Sequence, residues 1–216
     1  MFERHTKTAT RSGWSLYSPP MTPTTPSTPS SPSTADAECA ALTRNLRRRG
    51  TLVLSVFALV WAFAGASGMA SSTAALAVEI AAGTLTVAAI VLAYRKGAAP
   101  SPRMVSLPDN WARGVGIVNV VEVVAIFAVI AASNASGHPS FIPAGIALVV
   151  GLHFFPLAGL YDQWQYKGAA VLLTVAAVVG FGLIAVGLSS ETVRAVVGLA
   201  AAVVLWASAY HVAVKG

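Results

Sequence analysis

The chain reads as an all-α, polytopic integral membrane protein of six transmembrane helices with both termini on the cytoplasmic side (N-in/C-in). Three observations predict this. Only 10% of the residues are charged against 56% hydrophobic, where a soluble domain carries roughly a quarter charged residues. Six apolar runs follow one another between polar turns, each near the roughly 20 residues that a bilayer core of about 30 Å demands. The basic residues alternate sides. Arg44, Arg47, Arg48, Arg49, Arg95, Lys96, Arg103, Arg113, Lys167 and Lys215 fall on one side, and Arg194 alone falls on the other. Lys and Arg are retained in cytoplasmic loops, and an even number of crossings returns the chain to that side. The net charge of +6 is therefore membrane topology, and nucleic acid is not an expected partner.

The elements follow in order. Residues 1–43 are expected to form a disordered cytoplasmic tail. From Ser18 to Thr34 it is almost wholly Ser, Thr and Pro, which offers nothing to bury and forbids helix. Met21 stands as a second candidate start. Cys39, the only cysteine, excludes an internal disulfide and a CxxC-type metal or redox motif. Residues 44–216 make the six-helix domain. The first span, about 51–70, follows the cluster RNLRRRG; more than forty residues precede that cluster, which disfavours reading it as a signal peptide.

The second span, about 72–94, stops at Arg95 and Lys96, and a loop with Pro100, Pro102 and Pro108 leads to the third, about 114–133. The turn SNASGHPS contains the sequon Asn134-Ala135-Ser136, a weak match close to the membrane. The fourth span, about 141–160, ends at YDQWQYK, read as an interfacial loop whose Tyr161, Trp164 and Tyr166 supply the aromatic belt. The fifth, about 168–188, turns at LSSE into the sixth, about 192–214.

Within these spans a few polar groups need explaining: Glu79, Asn119 with Glu122, His153 and Arg194. An ionisable group at membrane depth is costly, so each is expected to face protein or trapped water. Glu79 shares a helical face with Ser72, Ala75, Ala82, Gly83, Thr86 and Ala93, a stripe of small residues that marks a helix contact. In the fourth span Ala144, Ala147, Gly151 and Ala158 lie opposite His153. If both faces are covered, that helix is central to the bundle. At about 1.5 Å per residue, Glu122 and His153 both lie about 11–14 Å from the cytoplasmic ends of their helices. Glu79 and Arg194 lie nearer the outer surface. The expected pairings are Glu122 with His153, joined by Asn119, as a proton or polar-ligand site, and Glu79 with Arg194 as a buried ion pair. Pro156 has no N–H, which leaves the carbonyl of Leu152 without its helical partner and makes Pro156 the expected point where the helix opens.

At Gly151–Ala158, GLHFFPLA, the sequence resembles small bacterial multi-pass membrane proteins that carry a Gly-Leu-His-Phe-x-Pro-Leu-Ala signature. The resemblance covers one helix and implies that His153 and Pro156 matter, while implying no substrate. The chain lacks HExxH, GxSxG and Walker motifs, so the expectation leans away from an enzyme, and no metal or other cofactor is expected. The leading reading is a transporter-like or ligand-binding membrane protein. Its expected partners are the lipid bilayer and a proton or small solute, with a homo-oligomer left open. A non-catalytic scaffold, whose polar groups only lock helix packing, is the alternative, and a metal-dependent intramembrane hydrolase is third. A cavity reaching His153 favours the first; a fully packed interior favours the second.

Overall fold

The computed structural model describes residues 34–96, 110–161 and 163–215. They form six helices: α1 (Thr34–Ala66), α2 (Ser72–Lys96), α3 (Trp111–Ala135), α4 (Phe141–Leu160), α5 (Trp164–Ala185) and α6 (Ser190–Lys215). All six are long and apolar enough to cross a membrane, and no strand occurs among the described residues. The reason is the one that makes helices span bilayers at all: without water, each backbone polar group must be satisfied inside its own segment.

Three boundaries differ from the sequence expectation by four residues or more, the simplest being that α1 ends at Ala66, short of the expected 70. α1 begins at Thr34, so residues 34–43 belong to a helix and not to the tail; residues 1–33 lie outside the described residues. The stretch TADAECAALTRNLRRR has no proline or glycine and is rich in Ala and Arg, both good helix formers. Charge limits how far a helix can sit in lipid, not how far it can run. α5 begins at Trp164, which takes Trp164 and Tyr166 out of the expected loop and onto the helix. The smaller differences lie at helix ends. α3 and α5 close with the same motif, in which Gly137 (φ 74°) and Gly187 (φ 80°) take the left-handed conformation. The next amides, of His138 and Leu188, reach back to the carbonyls of Ser133 and Leu183. This cap stops α5 at Ala185, short of the expected 188. Cys39 lies within α1, and the proline-bearing loop before Asn110 lies outside the described residues.

Successive helices alternate in direction. At one end the middle of α1 meets the end of α2, where Arg48 lies 5.0 Å over the Tyr94 ring. At that end too, Trp111 of α3 meets Tyr161 at the close of α4, and Trp164 of α5 meets His211 of α6. The described Lys and Arg residues other than Arg194 lie towards this end, called the basic end below.

Packing is uneven. α1 and α6 make the most extensive seam, α4 and α5 the next. The α1–α6 seam is close because its residues are small: a Cβ on Gly198 would fall 2.7 Å from the Cα of Gly65. α4 meets α5 through Gly151, where a Cβ would sit 2.9 Å from the Thr174 amide. Ala144, Ala147, Gly151 and Ala158 are all buried, as their stripe predicted. α3 packs on the opposite side of α4, and α6 also reaches it. The fourth helix is thus covered on both faces. α3 itself touches no helix other than α4 among the described residues, and Ser133 is its one buried residue.

Candidate functional site

α4 and α3 meet where the sequence expects a polar pair. Nε2 of His153 lies 3.4 Å from Oε2 of Glu122, with the two side chains 8% and 14% exposed. α4 aims the imidazole at α3 because its small-residue face is taken up by α5, which leaves the opposite face for the only other neighbour on that side. The backbone carbonyl of Val118, one turn before Glu122, also lies against the ring. The ring of Phe154 stands edge-on to it with centroids 5.8 Å apart. Nδ1 is buried and has no hydrogen-bond partner. The Glu122–His153 separation exceeds the about 2.7–2.9 Å of a short charge-assisted bond, so the pair is juxtaposed without being locked.

Beside the pair is a cavity of about 620 Å³, walled by α1, α3, α4 and α6 and by residues around the start of α5. Asn119 lines it together with Glu122 and His153. Asn119 itself is exposed and makes no hydrogen bond to either among the described residues. It is placed to contact a guest, not to fix the pair. Towards the basic end the wall includes Arg47, Arg49, Tyr161, Gln163 and Tyr166. Between the two polar regions it is apolar, with Val53, Phe57, Val115 and Val123 among its residues. A buried carboxyl next to an imidazole, both lining a cavity, can exchange a proton or hydrogen-bond a polar group of a guest.

Pro156 lies inside α4, which continues unbroken to Leu160. Both Pro156 and Leu152 are exposed, and among the described residues no donor from another element reaches the Leu152 carbonyl. The expected compensating donor is therefore not found. Glu79 and Arg194 are each half-buried, but among the described residues they form no ion pair. Arg194 instead acts on Glu191, one turn earlier on its own helix. A partner three residues away on the same helix needs no reach, whereas Glu79 starts about 4 Å deeper by helical rise. The face predicted for Glu79 is nonetheless the packed one: Ala82, Thr86, Ala89 and Ala93 are the buried residues of α2.

The sequence reading missed the polar stripe of α1. Thr43, Arg47, Thr51 and Ser55 are all buried, and their spacing of four residues puts them on one face. That regularity was the available signal. The backbone beside the stripe helps to join three helices: the Thr86 hydroxyl donates to the Ser55 backbone carbonyl at 3.4 Å and accepts from Nε1 of Trp206 at 3.1 Å, while the Thr51 and Ser55 hydroxyls have no hydrogen-bond partner among the described residues. The Tyr210 hydroxyl adds a bond to the Leu85 carbonyl at 3.0 Å. Among the described residues no three His, Cys, Asp or Glu side chains stand close enough together to hold a metal ion. In comparisons with known proteins, no family model, no curated protein and no solved structure matches this chain.

Proposed function

We propose that this chain is a multi-pass protein of the plasma membrane, with both termini cytoplasmic, that binds a small solute and takes up and releases a proton at Glu122 and His153. The single observation that carries the proposal is the cavity of about 620 Å³ that reaches both side chains. Pockets that bind small molecules run from about 300 to 1,000 Å³. The orientation rests on the basic end, since Lys and Arg are retained in the cytoplasm. In that orientation the cavity belongs to the inner half of the membrane, and Asn119 offers its amide to the guest. The likeness of Gly151–Ala158 to the signature of small bacterial multi-pass proteins is part of the same proposal, since it singles out the helix that holds His153.

Reconstitution into liposomes containing a pH-sensitive dye tests this reading. The parent protein should move protons in response to a solute or pH gradient, and His153→Ala and Glu122→Gln should each abolish that movement. Indistinguishable traces from all three proteins would turn the assignment over to the scaffold reading. One observation favours that alternative. The Ser55–Thr86–Trp206 connection is polar material used purely to hold helices together. The hydrolase reading draws no support from the grouping of the ionisable side chains.

A further inference from the structure

The proton-taking pair leaves open what occupies the space beside it, and the walls of that space constrain the answer. Arg47 is 6% exposed. It lines the cavity, and its Nε is buried without a partner. Among the described residues it donates from Nη1 to the Lys96 carbonyl at 3.4 Å. No carboxylate lies within ion-pair distance of Arg47 or Arg49 among the described residues. With one long bond to a carbonyl and no carboxylate beside it among the described residues, a buried guanidinium in this setting favours an anion brought to it. The α1 wall then runs from Arg47 to Phe57, about 15 Å of helix, through Gly50, Val53 and Leu54. The way in is lateral: among the described residues α3 packs on α4 alone, which leaves a gap between α1 and α3 on the side of the surrounding lipid.

We propose that the cavity takes a single-chain anionic amphipath from the bilayer. Its anionic head lies against Arg47 and Arg49, and its apolar chain lies between α1 and α3 along Val53, Phe57 and Val123. This deepens the ligand-binding reading given above and rests on it. Charge selects the head, because Arg presents a planar fork of donors to phosphate or carboxylate oxygens. The apolar wall selects a chain over a free ion. The volume suits one chain of moderate length. Asn119, which is exposed and lines the cavity, then marks the far end of the space, where a polar substituent on the chain would be bound.

The test uses the full chain in non-ionic detergent and measures saturable binding of radiolabelled oleoyl lysophosphatidate. Oleoyl lysophosphatidylcholine and inorganic phosphate serve as competitors. The anionic amphipath should bind at least about tenfold more tightly than its choline counterpart, the size of one lost charge-assisted contact. Inorganic phosphate should compete poorly. Arg47→Gln should weaken binding by a similar factor. Val123→Trp, which fills the cavity from the α3 side, should abolish it. Val121→Trp, on the lipid-facing side of α3 and 62% exposed, should leave it unchanged. Should Arg47→Gln fail to fold, Val123→Trp against Val121→Trp still decides. Equal binding of the choline amphipath, equal competition by phosphate, or indifference to Val123→Trp would each overturn the proposal. The liposome assay separates the two readings. Amphipath binding with no proton movement removes the transport reading and keeps this one, whereas proton movement with no amphipath binding removes this one alone.

Discussion

The two sides of the bundle use polar residues in opposite ways. On the α1–α2–α6 side, the buried Thr86 hydroxyl joins the Ser55 backbone carbonyl to the Trp206 indole, and glycines bring α1 and α6 nearly into backbone contact. On the α3–α4 side, Glu122 and His153 are juxtaposed at 3.4 Å beside open space, and α3 has a single neighbour among the described residues. At the closed seam the Thr86 hydroxyl spends its hydrogen bonds on its neighbours, while the Thr51 and Ser55 hydroxyls are buried with neither a partner among the described residues nor a guest to meet. Polar groups that face a cavity keep bonding capacity in reserve for a guest. The comparison teaches that burial alone does not mark a functional site in a membrane bundle; burial next to unfilled volume does.

The sharpest way to break this contrast is to make the same change on each side. Gly198→Ala places a methyl 2.7 Å from the Gly65 backbone and 3.0 Å from the Trp61 carbonyl. Backbone cannot yield as a side chain can, so the helices must separate, at a cost of about 2–3 kcal/mol. Gly116→Ala, on α3, meets nothing within 4 Å and should change stability by no more than about 0.5 kcal/mol. Thermal unfolding of both variants in detergent checks the pair. Equal losses would show that α3 is as tightly held as α6.

A smaller effect comes from the polar connection itself. Trp206→Phe keeps the aromatic packing and removes the Nε1 donor, which leaves Thr86 with only its 3.4 Å contact to Ser55. The loss should be about 1 kcal/mol, since interhelical polar contacts in membranes average about 0.6 and reach about 1.7. Proton movement in liposomes should be untouched, which distinguishes glue from site in one protein.

How far the sequence disclosed this arrangement depends on range. The number of helices, both ends of α4, the inward faces of α2 and α4, and the meeting of Glu122 with His153 were all legible. Each follows from hydrophobic run length, from a period of 3.6, or from equal depth on neighbouring helices. Equal depth is a necessary condition for contact and not a sufficient one, as Glu79 and Arg194 show: closeness also depends on azimuth, which needs the packing of every other helix. The absence of any α3 contact with α1, which leaves the cavity, was illegible for the same reason. The extension of α1 back to Thr34 was missed for a different reason, because arginines that end a membrane span do not end a helix. The stripe of Thr43, Arg47, Thr51 and Ser55 was readable at four-residue spacing, but its burial depends on α2 and α6 closing over it.

The finest test compares the two anticipated pairs by double-mutant cycles, with Glu122→Gln and His153→Gln in one and Glu79→Gln and Arg194→Gln in the other. For Glu122 and His153 the coupling should be about 0.5–1 kcal/mol. That is modest because the 3.4 Å separation is long and water entering the cavity can replace part of what each partner loses. For Glu79 and Arg194 the coupling should stay within about 0.3 kcal/mol, the additivity expected of groups that share no contact. Arg194→Gln alone should act through Glu191, its neighbour on α6, and so remain additive with Glu79→Gln. A Glu79–Arg194 coupling as large as that of the other pair would place a second charged centre on the closed side of the bundle. Open volume beside Glu122 and His153 would then be the only feature setting them apart, and the weight of the functional assignment would pass from the pair to the cavity.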